Sequence, residues 1–117
     1  LKCWLIWRCF PDWLNLPVDD KTDSCFHLYV VQIDFEKLGK SRTTVMEELK
    51  NKNIGTQVHY IPVHTQPYYT RNYGYKWGDY PLAENYYLKA LSLPLYPKMG
   101  DSDVEHVIKR VKELKNG

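Results

Sequence analysis

A chain of 117 residues has room for one hydrophobic core and not for two. With 44% hydrophobic and 26% charged residues it is not a mainly disordered chain, and no apolar run reaches the roughly 18 residues a membrane-spanning helix needs. The net charge of +2, from 16 basic and 14 acidic side chains, is too small a basic excess for a dedicated nucleic-acid or acidic-membrane binder.

In chain order, Leu1–Phe10 (LKCWLIWRCF) is apolar at eight of ten positions, yet it has neither a long apolar core nor a small-residue cleavage site, so it does not read as a signal peptide. Pro11, Pro17 and the run Asp19–Ser24 predict loop. Residues His27–Phe35 (HLYVVQIDF) predict a strand, with Tyr29, Val31, Ile33 and Phe35 on one face. A helix is expected from Arg42 to Lys52, capped by the Ser41 hydroxyl and carrying Val45, Met46 and Leu49 on its apolar stripe. Asn53 tolerates the left-handed conformation needed just past a helix end, so Ile54 is expected to pack back on Leu49. A second short strand is expected over Thr56–Tyr60. Pro62 and Pro67 then impose an extended path, and Thr65–Tyr80 reads as a long loop with one helical turn. Pro81 suits the first turn of a helix reaching about Leu88, with Tyr86 and Tyr87 in the core. Leu91–Pro94 is a short apolar stretch before a turn. The last helix is the clearest: Val104, Val107, Ile108, Val111 and Leu114 form one stripe, with Asp101 and Asp103 at its positive end and Lys112 and Lys115 at its negative end. The pattern indicates an α/β (α+β) sandwich, a short sheet covered by helices.

Cys3, Cys9 and Cys25 form no CxxC pair, and an odd count points to free thiols in a reducing compartment. Cys25 has no activating cation nearby in sequence and is discounted as a nucleophile. No nucleophile elbow, phosphate loop or dinucleotide turn is present. Glu47 and Glu48 read as a solvated helix face, and Glu84 as a first-turn helix charge rather than a general base. The richest segment is Gly55–Tyr69 (GTQVHYIPVHTQPYY). His59 and His64 lack the third and fourth ligands that zinc requires, because His27 and His106 stand at no ligand spacing. Either these imidazoles satisfy neighbouring groups, or His59, Tyr60, His64 and Gln66 offer neutral hydrogen bonds to a polar ligand. Eight of the ten tyrosines lie between Tyr60 and Tyr87, more than a small domain needs to fold. Those in the loop, Tyr68 among them, are suited to stacking on sugars, bases or a partner subunit.

From about Asp12 onward the chain resembles the C-terminal small domain of DegT/StrS-type sugar aminotransferases, which are pyridoxal-phosphate (PLP) enzymes of the aspartate-aminotransferase fold. The matching blocks run in the family's order: HLYVV at His27–Val31, SR at Ser41–Arg42, VMEELK at Val45–Lys50, IGTQVHYIPVH at Ile54–His64, QPYY at Gln66–Tyr69, PLAE at Pro81–Glu84 and LSLPLYP at Leu91–Pro97. Among branches of the family, these blocks most resemble the transaminase of pseudaminic acid synthesis, which moves an amino group from glutamate to C4 of a UDP-linked 4-keto-6-deoxy-HexNAc. The branch making 4-amino-4-deoxy-arabinose for lipid A is the second match.

The resemblance implies that the Schiff-base lysine, the aspartate on the pyridinium nitrogen and the phosphate-holding groups belong to a large domain. No lysine of this chain is therefore expected to be catalytic, no PLP is expected in this chain, and the chain alone is expected to be inactive. It further implies a homodimeric parent in the cytoplasm, with no nucleic acid or membrane as partner, and places His59, Tyr60, His64, Gln66 and Tyr68 nearest the substrate. Residues 12–117 correspond to the small domain. Residues 1–11 depart from the family, as expected of either a shifted reading frame upstream of Asp12 or an apolar helix uncovered without the large domain. The alternatives are a stand-alone carbohydrate- or nucleotide-sugar-binding module, or a module that dimerises through apolar surface.

Overall fold

The computed structural model describes residues 11–17 and 27–117. The readings made for Leu1–Phe10, for Asp19–Ser24 and for Cys3, Cys9 and Cys25 lie outside the described residues.

Three short strands form an antiparallel sheet in the order β1 (Leu14–Asn15), β2 (Tyr29–Ile33), β3 (Ala90–Leu93). Register sets Leu14 opposite Ile33, and Tyr29 and Val31 opposite Leu93 and Leu91. The alternation expected of β2 is present: Tyr29, Val31 and Ile33 are buried, and Val30 and Gln32 between them are half-buried. Phe35 does not continue the strand. It opens a one-turn helix α1 (Phe35–Leu38), because the Asp34 carboxylate accepts the Lys37 N–H at 3.1 Å and Gly39 closes the turn at φ 75°.

Helix α2 (Arg42–Lys50) begins as its sequence requires, with the Ser41 hydroxyl accepting the Thr44 N–H at 3.1 Å. It ends with Asn53 in the left-handed region at φ 61° and the Ile54 N–H on the Leu49 carbonyl at 2.9 Å, so Ile54 is tucked back into the core beside Leu49. Helix α5 (Asp101–Glu113) buries Val104, Val107, Ile108 and Val111, and the Asp103 carboxylate accepts the Gly100 N–H ahead of its first turn. These stripes, the inner face of β2, Leu91, Leu93 and the fully buried Trp13 make one core. The result is the expected small α/β domain, a short sheet with helices against it.

Three expectations for the middle of the chain are corrected. The strand over Thr56–Tyr60 reduces to one bridge, Gln57 with Ser92. Extending that ladder would pair Gly55 with Pro94, which has no N–H, and His59 with Ala90, whose N–H already serves the Tyr86 carbonyl. The loop over Thr65–Tyr80 contains a 3-10 turn (Val63–Thr65) at its entry and a seven-residue helix α3 (Pro67–Tyr73). Pro67 sits in its first turn, and Gly74 ends it at φ 71°. Helix α4 (Pro81–Lys89) does not put Tyr86 and Tyr87 in the core: Tyr86 is exposed and Tyr87 half-buried. Its one buried residue is Glu84, while Leu82 is 87% exposed, so this helix turns a carboxylate inward and apolar side chains outward. Glu84 is in the first turn, as expected of a helix charge, but it is not solvated.

Candidate functional site

The segment Gln57–Glu84 lies along one edge of the domain, tied to the sheet at one end and to α4 at the other. At the sheet end the Gln57 backbone exchanges hydrogen bonds with Ser92 (3.2 and 2.8 Å), and His59 Nδ1 lies 2.9 Å from the Ser92 hydroxyl. Ser92 is buried within β3, so it fixes the half-buried His59 ring. Tyr60 packs edge-on against His59 with ring centroids 4.7 Å apart and is 70% exposed.

At the α4 end His64 is buried, with Nε2 2.7 Å from Glu84 Oε1. The same oxygen accepts the N–H groups of Gly78 (2.7 Å) and Tyr80 (3.3 Å). Burial pushes the Glu84 carboxyl upward, but the Gly78 N–H, the His64 ring and the Tyr80 N–H outweigh it and hold the group below its ordinary value. Glu84 is therefore a carboxylate at neutral pH, and its contact with Nε2 fixes which imidazole nitrogen carries a proton there.

From the His64 tie runs a file of rings. His64 meets Tyr80 at 4.8 Å, Tyr80 meets Tyr75 at 5.8 Å, Tyr75 meets Tyr73 at 6.1 Å, Tyr73 meets Tyr69 at 6.1 Å and Tyr69 meets Tyr68 at 5.2 Å. These are edge-to-face or offset separations, each adding a little to burial. A hydrogen bond with Tyr75 pushes the Tyr80 phenol above its ordinary value. Tyr68 and Tyr73 are each 62% exposed, and Tyr80 is exposed as well. Gln66 precedes α3, and its carbonyl accepts the Tyr69 and Thr70 N–H groups.

Of the five residues singled out from sequence, the structure joins His64 and Tyr68 through the file of rings and puts His59 with Tyr60 at the sheet end. The two imidazoles contact protein partners, Ser92 and Glu84. Sequence reading missed both partners. For Glu84 a signal existed: a helix residue just after Gly78-Asp79-Tyr80 can reach back to those backbone N–H groups. For Ser92 there was none, since a serine in an apolar strand carries no mark of its cross-chain neighbour.

This arrangement offers aromatic faces and neutral hydrogen bonds, and no nucleophile. Among the described residues no group of three or more metal-ligating side chains occurs, and no helix is long and apolar enough to cross a membrane. A PLP site requires a lysine in a desolvated pocket. None of the lysines among the described residues is buried, and Lys40, one of the more enclosed, is held 2.8 Å from Glu48. The described residues thus do not by themselves fit that cofactor. A groove of about 480 Å³ between the ends of α2 and α5, lined by Glu48, Lys52, Arg110 and Glu113 among others, shares no residue with the aromatic file.

Comparison with known proteins agrees with this fold. The spore coat polysaccharide biosynthesis protein SpsC of Bacillus subtilis is 50% identical over 101 residues, 86% of this chain and 26% of that protein. The UDP-4-amino-4-deoxy-L-arabinose–oxoglutarate aminotransferase of Shewanella sediminis is 36% identical over 94 residues, 77% of this chain and 24% of that protein. The solved structure of DesV from S. venezuelae superposes with a TM-score of 0.81 at 28% identity, covering 99% of this chain and 30% of that one. Spr1654 of Streptococcus pneumoniae, 26% identical and covering 89% of this chain and 26% of that one, is solved in a PLP form and a PMP form that superpose with TM-scores of 0.75 and 0.73. The chain spans about a quarter of the length of the curated relatives it matches. The model of the DegT/DnrJ/EryC1/StrS aminotransferase family matches residues 10–112, nearly the whole chain, and the chain belongs to that family.

Proposed function

We propose that residues 12–117 act as the small domain of a PLP-dependent nucleotide-sugar aminotransferase. In this reading glutamate and a UDP-linked 4-keto-6-deoxy-HexNAc exchange an amino group for a carbonyl oxygen, giving 2-oxoglutarate and the 4-amino sugar. The observation that carries it is the file of partly exposed tyrosines that starts at the fixed imidazole of His64, with a second fixed imidazole, His59, beside Tyr60, in a chain of a sugar-aminotransferase family. C4 as the amination site is supported by the Shewanella sediminis relative, named for a UDP-sugar that carries its amino group at C4. The 6-deoxy-HexNAc rather than the pentose rests on the sequence blocks VHYIPVHTQPYY and LSLPLYP.

PLP, its lysine and the phosphate cradle belong in this reading to a large domain, which pairs with this one in a homodimeric cytoplasmic enzyme. PLP supplies the electron sink for moving the amino group. The residues here bind and orient. Tyr68 and the exposed rings stack on the sugar or base, His59, Tyr60 and Gln66 hydrogen-bond its hydroxyl and diphosphate oxygens, and His64, its Nε2 held by Glu84, accepts from a hydroxyl at Nδ1. Each buried polar contact of that kind is worth about 1–3 kcal/mol.

The test is calorimetric titration of the chain with UDP-N-acetylglucosamine, together with absorbance in the presence of PLP. Saturable binding weakened by Tyr68→Ala, without absorbance from covalently bound PLP, is the expected result. Covalent capture of PLP by this chain would overturn the assignment of the lysine to another domain. A flat titration would remove the sugar-binding role of the aromatic face.

A further inference from the structure

We propose that Glu84 is a positioning residue for the aromatic face: a single buried carboxylate oxygen gathers His64, Gly78 and Tyr80 and thereby sets the arch from Val63 to Tyr80 in its ligand-presenting shape. This deepens the nucleotide-sugar reading above and rests on it for the identity of the ligand, though not for the placement of the arch.

Helix α3 contributes no buried residue, and of the 3-10 turn only His64 is buried. Core packing therefore does not fix α3, and the hydrophobic effect, which places α2 and α5, does little here. What remains are the ring contacts, which tolerate sliding, and hydrogen bonds, which do not. Among the described residues the buried polar side chains are His64, Glu84 and Ser92, and two of those three face each other here.

Glu84 is placed to act at three points of the arch at once. Its Oε1 meets the imidazole of the 3-10 turn that precedes α3, and the Gly78 and Tyr80 N–H groups of the loop that follows α3. The entry and exit of α3 thus close on one atom. Tyr80 in turn touches both His64 and Tyr75, so the innermost rings of the file are set by the same anchor. An ordinary first-turn carboxylate acts on the helix dipole from solvent. This one is 4% exposed and meets the backbone of a loop six residues back, which a dipole role does not require. Gly78 is at φ 103°, a conformation that glycine adopts readily and that carries its N–H to the carboxylate.

The experiment is amide hydrogen exchange and histidine long-range 1H–15N NMR on the 117-residue chain, for wild type, Glu84→Ala and Glu84→Gln. In Glu84→Ala, exchange at Gly78, Tyr80, Thr70 and Gly74 is expected to rise by at least about tenfold and by clearly more than at the α5 amides, as for a local unit that opens ahead of the rest of the fold. The His64 Nε2 proton signal shifts as its acceptor is lost. Glu84→Gln keeps an acceptor oxygen without the charge, so its exchange in the arch falls between the two, at about threefold, charge-assisted bonds being roughly twice as strong. Should Glu84→Ala not fold, Glu84→Gln carries the test alone. Unchanged arch exchange, or an equal rise in α5, would overturn the proposal. Titration with UDP-N-acetylglucosamine separates the two readings. Weaker binding in Glu84→Ala, at a residue set beneath the face, supports both, whereas no binding by wild type counts against the sugar reading and leaves the exchange result to decide on Glu84.

Discussion

At Arg42 one guanidinium joins two helices. Its Nη1 donates to the Tyr87 carbonyl at 2.6 Å, and its carbon lies 4.7 Å above the Tyr87 ring, whose other contact is the edge of Trp77. The carbonyl it meets belongs to the last turn of α4, where acceptors are left over and a cation is favoured. Arg42 begins α2, so this contact fixes the start of one helix to the end of another. Arg42→Ala is expected to lower stability by about 2 kcal/mol, combining a charged hydrogen bond with a cation–π contact. Arg42→Lys should recover less than half, because an ammonium cannot lie flat on the ring while reaching the carbonyl. Urea unfolding checks both, as a lower midpoint with an unchanged slope. A midpoint within error of wild type for Arg42→Ala would show the contact to be dispensable.

Among the elements, those whose positions follow from burial were legible and those held by hydrogen bonds were not. The α5 stripe and the alternation of β2 announce themselves because hydrophobic periodicity and burial are the same fact seen twice. Ser41 and Asn53 were legible because a cap is local chemistry, confined to a few residues. The strand over Thr56–Tyr60 failed because pairing depends on the partner, and β3 is closed on one side by Pro94 and on the other by the end of α4. Helix α3 was half legible. Its apolar residues are tyrosines facing outward, so it has no buried stripe to read, yet Pro67 and Gly74 bracket it as start and stop signals. The candidate site divides in the same way. His59, His64 and the tyrosines were visible as a cluster of types, whereas Ser92 and Glu84 are distant partners known only from the fold. Gly74 offers a test at this scale. Its φ of 71° suits glycine, and a Cβ built there meets nothing within 4 Å, so the cost of substitution is conformational alone. Gly74→Ala is expected to cost about 1 kcal/mol, and Gly74→Asn less, since asparagine tolerates this region better. The loss should appear as increased exchange in α3 with α2 unaffected. Equal behaviour of Ala and Asn would mean that another constraint acts at this turn.

Across the whole molecule, pH acts at separate places in the fold through different groups. Glu84 ties the arch to α4, and Glu113, lowered first by its hydrogen bond from Arg110 at 2.8 Å, closes the end of α5. A carboxyl with a depressed folded value binds fewer protons folded than unfolded, so its contribution is present above the ordinary value and is lost as pH falls through and below about 4.5. Tyr29 works in the other direction. Burial in the sheet raises its phenol from 10.0 to about 12, so the stability it lends is full below 10 and is lost as pH climbs through 12. Tyr80, raised by its bond with Tyr75, adds to the same alkaline limb. Urea midpoints measured against pH should therefore form a plateau at neutral pH with a fall at each end. The two ends have different anatomies. On the acid side Glu113 is a half-exposed pair, and its share should fade in 1 M salt, where the screening length is roughly 3 Å. The share of Glu84 should survive salt, because its donors are buried or backbone groups in direct contact. Glu84→Gln should flatten the salt-resistant part of the acid limb, and Tyr29→Phe should reduce the alkaline slope without touching the acid one. An acid limb equally steep in Glu84→Gln and wild type at high salt would mean that other carboxylates govern acid unfolding of the domain.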